Sequence, residues 1–241
     1  MRLIGLTVFL LVVIAVYMNQ SYAAFFNRIK TADLKPPATH TNVLLGNVNG
    51  ETKIFTFIGD SLTAGVGATT EKKTIAYLVT ENIADKNAVT LYNFGHPGAR
   101  VKDLIPISKK LSTQKSDLTV IFIGINDLFN RTPTNDFRND LNRIVKNSST
   151  NDTKVALLTI PFLGTTKSVP FPFDIFYNVR LQMLNTQIKE VAAENNAQLI
   201  DLYLLTQGKL NNQTLFAQDH FHPSDNGYIL LADIISGELK K

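Results

Sequence analysis

The 241-residue chain is 44% hydrophobic, enough to bury one sizeable core, and its length fits one domain better than two. Its formal charge is +4, but Arg2, Arg28, Lys30 and Lys35 against Asp33 put +3 of that in the first fifty residues, leaving 20 basic and 19 acidic side chains beyond them. That balance excludes the clustered basic face of a nucleic-acid binder, and the absence of cysteine excludes disulfides, thiolate metal sites, a Cys nucleophile and lipid attachment through an N-terminal Cys.

The chain opens with Met1 and Arg2, runs from Leu3 to Met18 with Thr7 as its one conventionally polar side chain, and then reads Asn19-Gln20-Ser21-Tyr22-Ala23. A positive start, an apolar stretch and small residues where a signal peptidase cuts are the marks of an export signal. The run of 16 residues is slightly long for a cleaved signal and slightly short for the ~20 residues of a bilayer span. Residues 1–23 are therefore expected to be either a signal peptide or an N-terminal membrane anchor, and both readings stay open. Either way the chain is expected to be exported: secreted, periplasmic or held on the outer side of the cytoplasmic membrane. Apolar residues on every face argue against a buried core helix. Residues 24–50, with Lys35-Pro36-Pro37 and no sustained periodicity, are expected to be a linker. The folded domain then covers residues 51–241.

From Glu51 onward short β-rich apolar runs alternate with segments of helical period, the pattern of a parallel sheet with helices on both faces. The runs are Ile54–Ile58, Val89–Phe94, Leu118–Ile123, Val155–Ile160 and Gln198–Ile200, giving five strands. Ile75, Leu78, Val79 and Ile83 lay one apolar stripe on a helix. Val179, Met183, Leu184, Ile188 and Val191 mark a second, and Tyr228, Leu231, Ile234 and Ile235 the last. Sheets of this kind place their sites in the loops beyond the carboxyl ends of the strands.

The chemically suggestive residues lie in such loops or in the short segment before the last helix. The first strand runs into Gly59-Asp60-Ser61-Leu62-Thr63-Ala64-Gly65, where the backbone presents a serine hydroxyl at a strand-to-helix turn. Taken alone, Asp-Ser in a Gly-rich turn is a turn or a helix cap. Near the C-terminus, Asp219 and His222 stand three residues apart before the final helix, a spacing that lets a carboxylate orient an imidazole so that its other nitrogen takes a serine proton. His220 has the wrong spacing for this and is expected at the surface or behind the site. Ser224 and Asp225 read as capping and dipole residues of the last helix. Gly98, after the second strand, can bring its N–H close to a substrate. Asn126, in Gly124-Ile125-Asn126-Asp127 after the third, can donate through its amide.

Together, Gly59-Asp60-Ser61-Leu62, the Gly98 loop, Gly124-Ile125-Asn126-Asp127 and Asp219-His220-Phe221-His222-Pro223 resemble the four ordered blocks of the SGNH hydrolases, the GDSL esterase/lipase family. The resemblance runs from about residue 53 to 236. It implies a three-layer α/β/α, flavodoxin-like fold with a five-stranded parallel sheet. It implies Ser61 as nucleophile, His222 as base, Asp219 as its orienting acid, and an oxyanion hole from the Ser61 N–H, the Gly98 N–H and the Asn126 side chain. No metal or organic cofactor is expected.

The expected activity is that of an exported serine carboxylester hydrolase. The expected partner is a small-molecule, lipid or glycan ester, with no nucleic acid, membrane contact through residues 3–18, and a monomeric state. Two other readings compete: an O-acetyl glycan deacetylase with the same triad, and a non-catalytic surface-binding module that keeps the fold. The aromatic segment 169–177 either walls an acyl pocket, touches a membrane or caps the core. Arg100 and Lys102 either hold an anionic group or are simply solvated.

Overall fold

The structure, a computed structural model, describes residues 2–38, 43–47, 49–149, 152–162 and 173–241. It begins with α1 (Arg2–Ala32), one continuous helix of 31 residues. This helix stops where Asp33 takes a left-handed backbone, φ 44°, just ahead of Pro36 and Pro37, which cannot continue it. From Leu6 it is long and apolar enough to cross a membrane, a property that export signals share.

The sheet contains the five expected parallel strands: β2 (Thr52–Gly59), β3 (Ala88–Gly95), β4 (Leu118–Phe122), β5 (Lys154–Leu158) and β6 (Gln198–Ile200). A sixth, β1 (Val43–Gly46), pairs antiparallel with β3 at the edge, Val43 opposite Leu91 and Gly46 opposite Ala88. The count of five is thus corrected to six, and residues 24–50, expected as a linker, carry the end of α1 and this edge strand. A four-residue strand bonded on one side only leaves almost no periodic signature, and its fixed point is Leu45, which buries against the core.

Strand order is β1-β3-β2-β4-β5-β6, so the chain leaves β2 on one side to form β3 and returns to its other side to form β4. That reversal is the topological switch point at which open α/β sheets form their crevice. The register brings Gly59, Gly95 and Phe122 level with one another, so the loops after β2, β3 and β4 all start from one rim.

Side chains alternate between the two faces of each strand. Phe57 joins Ile75 and Val79 of α3 (Ile75–Ala84) and Tyr228, Leu231 and Ile235 of α9 (Asp225–Leu239) on one side. Ile58, Ile121 and Leu157 join α4 (Ile105–Leu111), α6 (Thr134–Ser148) and α7 (Phe173–Glu194) on the other. Short turns α2 (Ser61–Ala64), α5 (Ile125–Phe129) and α8 (Leu202–Leu205) decorate the rim.

The stripe on α7 differs from the expected one. Its buried face is Tyr177, Leu181, Leu184, Ile188 and Val191, whereas Val179 is 59% and Met183 50% exposed, on the side shared with Ile175 and Phe176. Apolar residues occupy both faces of this helix, so periodicity alone does not select the core side. Leu181→Ala should therefore lower stability in urea titration by about 3 kcal/mol. Val179→Ala should cost less than about 0.5 kcal/mol.

Candidate active site

The Ser61 turn is clamped at the switch point before any partner reaches it. The Leu62 N–H donates to Asp60 Oδ1 (3.0 Å), Thr63 Oγ1 donates to the Phe122 carbonyl (3.2 Å) and Asn93 Nδ2 donates to the Thr63 carbonyl (2.9 Å). The His96 N–H donates to the Gly59 carbonyl at 2.9 Å. Three strand ends thus grip one short turn. The approach is close enough that a Cβ on Gly95 would lie 2.1 Å from the Ala64 nitrogen.

The segment before α9 folds back on itself, with the Ala217 N–H donating to the His222 carbonyl at 2.8 Å. Asp219 Oδ1 accepts from the N–H groups of Phe221 (2.9 Å) and His222 (3.0 Å), and its Oδ2 lies 2.6 Å from His222 Nδ1. His222 Nε2 is 3.0 Å from Ser61 Oγ. All three side chains are buried. Burial pushes the Asp219 carboxyl up, but the hydrogen bond and charge of the His222 ring and the two N–H donors outweigh it and hold the group below its ordinary range. An ionised Asp219 keeps the proton on Nδ1 and leaves Nε2 as the acceptor that faces Ser61. His220 is exposed with a left-handed backbone, φ 55°, and takes no part in this chain.

Two residues at the start of α9 do more than the sequence suggests. Ser224 caps the helix as expected, accepting from the Gly227 N–H at 3.4 Å. Asp225, however, reaches across to Thr69, accepting from its N–H (2.9 Å) and its hydroxyl (2.6 Å). The Tyr228 hydroxyl, read only as part of a core stripe, donates to the Val66 carbonyl at 2.8 Å. These contacts tie the His222 segment to the chain that follows Ser61. Each partner is more than 150 positions away in sequence, so no local pattern announces it.

The two remaining blocks meet on the third side. Gly98 is exposed with φ 82°, and a Cβ there would touch nothing within 4 Å, so glycine is required by the backbone and not by crowding. Asn126 Nδ2 donates to the Ala99 carbonyl (3.0 Å), and Asp127 Oδ2 accepts from the Val101 N–H (2.9 Å). Neighbouring residues of α5 thereby hold the chain just after Gly98 at two points. Arg100 is engaged locally by Asp103, which accepts from its N–H at 2.9 Å and lies 3.6 Å from its guanidinium. Burial pushes the Asp127 carboxyl up. Burial, aided by the neighbouring charge of Asp127, pushes Asp60 up to about 7 against the opposing N–H donors of Leu62 and Gly124.

Aromatic and aliphatic groups close the back of the site. Phe221 meets the His222 ring edge-on at 5.0 Å and touches Phe129 at 5.6 Å and Phe25 of α1 at 5.9 Å. A small apolar void of about 30 Å³ is lined by Leu62, Ile125, Pro161, Leu215, Phe221 and Pro223; of these, Leu62, Ile125, Phe221 and Pro223 adjoin Ser61, Asn126 and His222 in the chain. Of the expected aromatic segment, residues 169–172 lie outside the described residues. Phe173 meets Tyr22 at 5.4 Å, and Tyr177 meets Phe129 at 5.0 Å, so both cap the core.

Residues 57–230 match the model of the GDSL-like Lipase/Acylhydrolase family. Similar solved structures include the lipase/acylhydrolase from Enterococcus faecalis, 30% identical over 78% of this chain and 95% of that one, with a TM-score of 0.61. The psychrotrophic esterase EstA from Pseudoalteromonas sp. is 19% identical over 78% of this chain and 97% of that one, with a TM-score of 0.63. An acetylxylan esterase from Geobacillus stearothermophilus is 20% identical over 80% and 96% respectively, with a TM-score of 0.61. No curated protein matches the sequence.

Asp60 generates a pH prediction. Its folded pKa of about 7 lies above the ordinary carboxylate value, so the folded chain holds the proton more tightly than the unfolded chain. Its contribution is complete below about pH 4 and is lost as pH rises towards 7. In paired urea titrations, the stability of the native chain relative to Asp60→Asn should fall by on the order of 3 kcal/mol between pH 4 and 7. A flat difference across that window would contradict the assignment.

Proposed function

We propose, because the chain belongs to the GDSL-like Lipase/Acylhydrolase family of ester-hydrolysing serine hydrolases, that Ser61 is its nucleophile, His222 the general base and Asp219 the residue that orients the base. The observation that carries this reading is the unbroken line from Asp219 Oδ2 to His222 Nδ1 at 2.6 Å and from His222 Nε2 to Ser61 Oγ at 3.0 Å. Both lengths are within reach of proton transfer.

In this mechanism His222 Nε2 takes the Ser61 proton as Oγ attacks the carbonyl carbon of an ester. The charge that gathers on the carbonyl oxygen is met by the N–H groups of Ser61 and Gly98 and by the Asn126 amide. One Asn126 N–H is held by Ala99, which sets the plane of the amide and leaves its second N–H for the substrate. Collapse of the tetrahedral adduct breaks the bond to the alcohol, which leaves with the proton from His222. Water, deprotonated by the same nitrogen, then attacks the acyl-Ser61 ester and releases the acid.

The apolar side chains beside the reacting groups, Leu62 and Phe221, favour an acyl chain longer than acetyl lying against them on the acid side of the ester. Turnover of p-nitrophenyl octanoate should then exceed that of p-nitrophenyl acetate, whereas a deacetylase would show the reverse. Ser61→Ala should abolish nearly all turnover and labelling by an organophosphonate, with an unchanged far-UV spectrum. Asp219→Asn should lower kcat by about 10⁴-fold through the wrong imidazole tautomer. Loss of less than tenfold in either variant would remove these residues from the reaction.

A further inference from the structure

Two features outside the Ser61 site point the same way. The first is the divided character of α1. From Leu6 to Tyr17 its large apolar side chains are 47–63% exposed, on all sides of the helix, which is unfavourable in water and suited to lipid. The same helix then runs through Asn19 and Gln20 into a segment docked on the domain: Phe25 is 3% exposed, and Tyr22, Phe26 and Ile29 pack on the core. Gln218, four residues before His222, donates to the Ala32 carbonyl at 3.2 Å. An export signal destined for removal has no reason to continue into the core of the mature domain. Cleavage after Ala23 would remove Tyr22, whose ring joins Phe26 at 4.7 Å and Phe173 of α7 at 5.4 Å.

The second feature is the start of α7. Ile175, Phe176, Val179 and Met183 form an exposed apolar strip on that helix. It begins two residues beyond Phe173, at the place where α7 touches α1. An apolar strip that continues from an apolar helix, with the polar Asn19 and Gln20 and aromatic Tyr22 at the junction, has the make-up of a surface seated at a membrane interface.

We propose that α1 is a permanent membrane anchor and that, with the exposed face of α7, it seats the rim carrying Ser61 on the bilayer, so that the ester delivered to Ser61 is that of a lipid in the adjoining leaflet. Phe25 lies only eight positions after Tyr17, or ~12 Å of helix at ~1.5 Å per residue. That reach is comparable with the depth of a headgroup layer. Phe25 touches Phe221, and Phe221 touches His222, so the end of the span and the reacting groups are two contacts apart. A lipid acyl chain needs to travel little beyond the interface to lie against Phe221 and Leu62. The lipid substrate rests on the reading of Ser61 as nucleophile, and the retention of α1 does not.

The test uses the full chain expressed in a bacterial host. Its intact mass should include residues 2–23, and it should stay in the membrane fraction through alkaline carbonate and leave it in detergent. The purified chain is then reconstituted in vesicles of phosphatidylcholine and phosphatidylglycerol. It is assayed on soluble p-nitrophenyl acetate and on 4-methylumbelliferyl oleate dissolved in the bilayer. A ten-residue Gly/Ser insertion between Gln20 and Ser21 lifts the domain from the membrane without touching the docked segment. It should leave the acetate rate within twofold and lower the oleate rate by at least tenfold. A chain that begins after Ala23, release by carbonate, or an insertion variant whose two rates keep their native ratio overturns the proposal. Acetate hydrolysis by the Ser61→Ala chain would instead sink the nucleophile reading and leave the anchor to be judged on mass and extraction.

Discussion

The 3.0 Å contact between His222 Nε2 and Ser61 Oγ is the constraint on which the rest of the structure depends. It joins groups 161 residues apart, on two loops that have no reason of their own to keep that separation. A displacement of about 1 Å is enough to spoil such a geometry. The fold meets the demand by giving each loop a rigid parent. Ser61 sits in a turn gripped by the ends of β2, β3 and β4, while His222 rides on the N-terminus of α9, whose Leu231 and Ile235 are fixed in the core. Asp225 and Tyr228 then bind one parent to the other through Thr69 and Val66.

Three buried aspartates divide the work of holding the rim. Asp60 and Asp127 join separate loops by accepting from the N–H groups of Gly124 and Val101, while Asp219 fixes its own loop through the N–H groups of Phe221 and His222. Asp219 sits opposite an imidazole and is held ionised. Asp60 and Asp127 lack a cation of that kind, and burial pushes both up, each offset in part by backbone donors. Asp219, the one of the three that faces an imidazole, is also the one held below its ordinary range despite burial.

The blocks around Ser61, Gly98 and Asn126 are legible because each is a contiguous run at the end of a strand, and parallel sheets bring strand ends together, while the Asp219 block is a contiguous run just before the last helix. What could not be read depends on contacts between distant segments. Asp225 looks like an ordinary helix-start acid, and Tyr228 like an ordinary core aromatic, until Thr69 and Val66 come beside them. The face of α7 was misread because Val179 and Met183 satisfy a helical spacing as well as Tyr177 and Leu181 do. The docking stripe of α1, at Tyr22, Phe25, Phe26 and Ile29, has the i, i+3, i+4, i+7 spacing of an amphipathic helix. It lies across a stretch that also resembles a peptidase site, and the stronger apolar run before it draws attention to export.

Phe221 shows why the polar and apolar halves of the site are inseparable. Its neighbour in the chain is His222, so fixing the imidazole also fixes the position of a large ring beside it. One edge of that ring meets His222, and its surroundings are Phe129, Phe25 and the other residues around a small apolar void. Water is thereby kept from one side of the imidazole, which strengthens the Asp219 hydrogen bond on the Nδ1 side and leaves Nε2 directed at Ser61. The same packing makes the docked part of α1 a wall of the site, since removing Phe25 would leave a void against Phe221. On the proposed reading, a group that reacts at Ser61 meets hydrogen-bond donors on one side of His222 and hydrocarbon on the other. A carbonyl bearing an alkyl chain has that division of polarity.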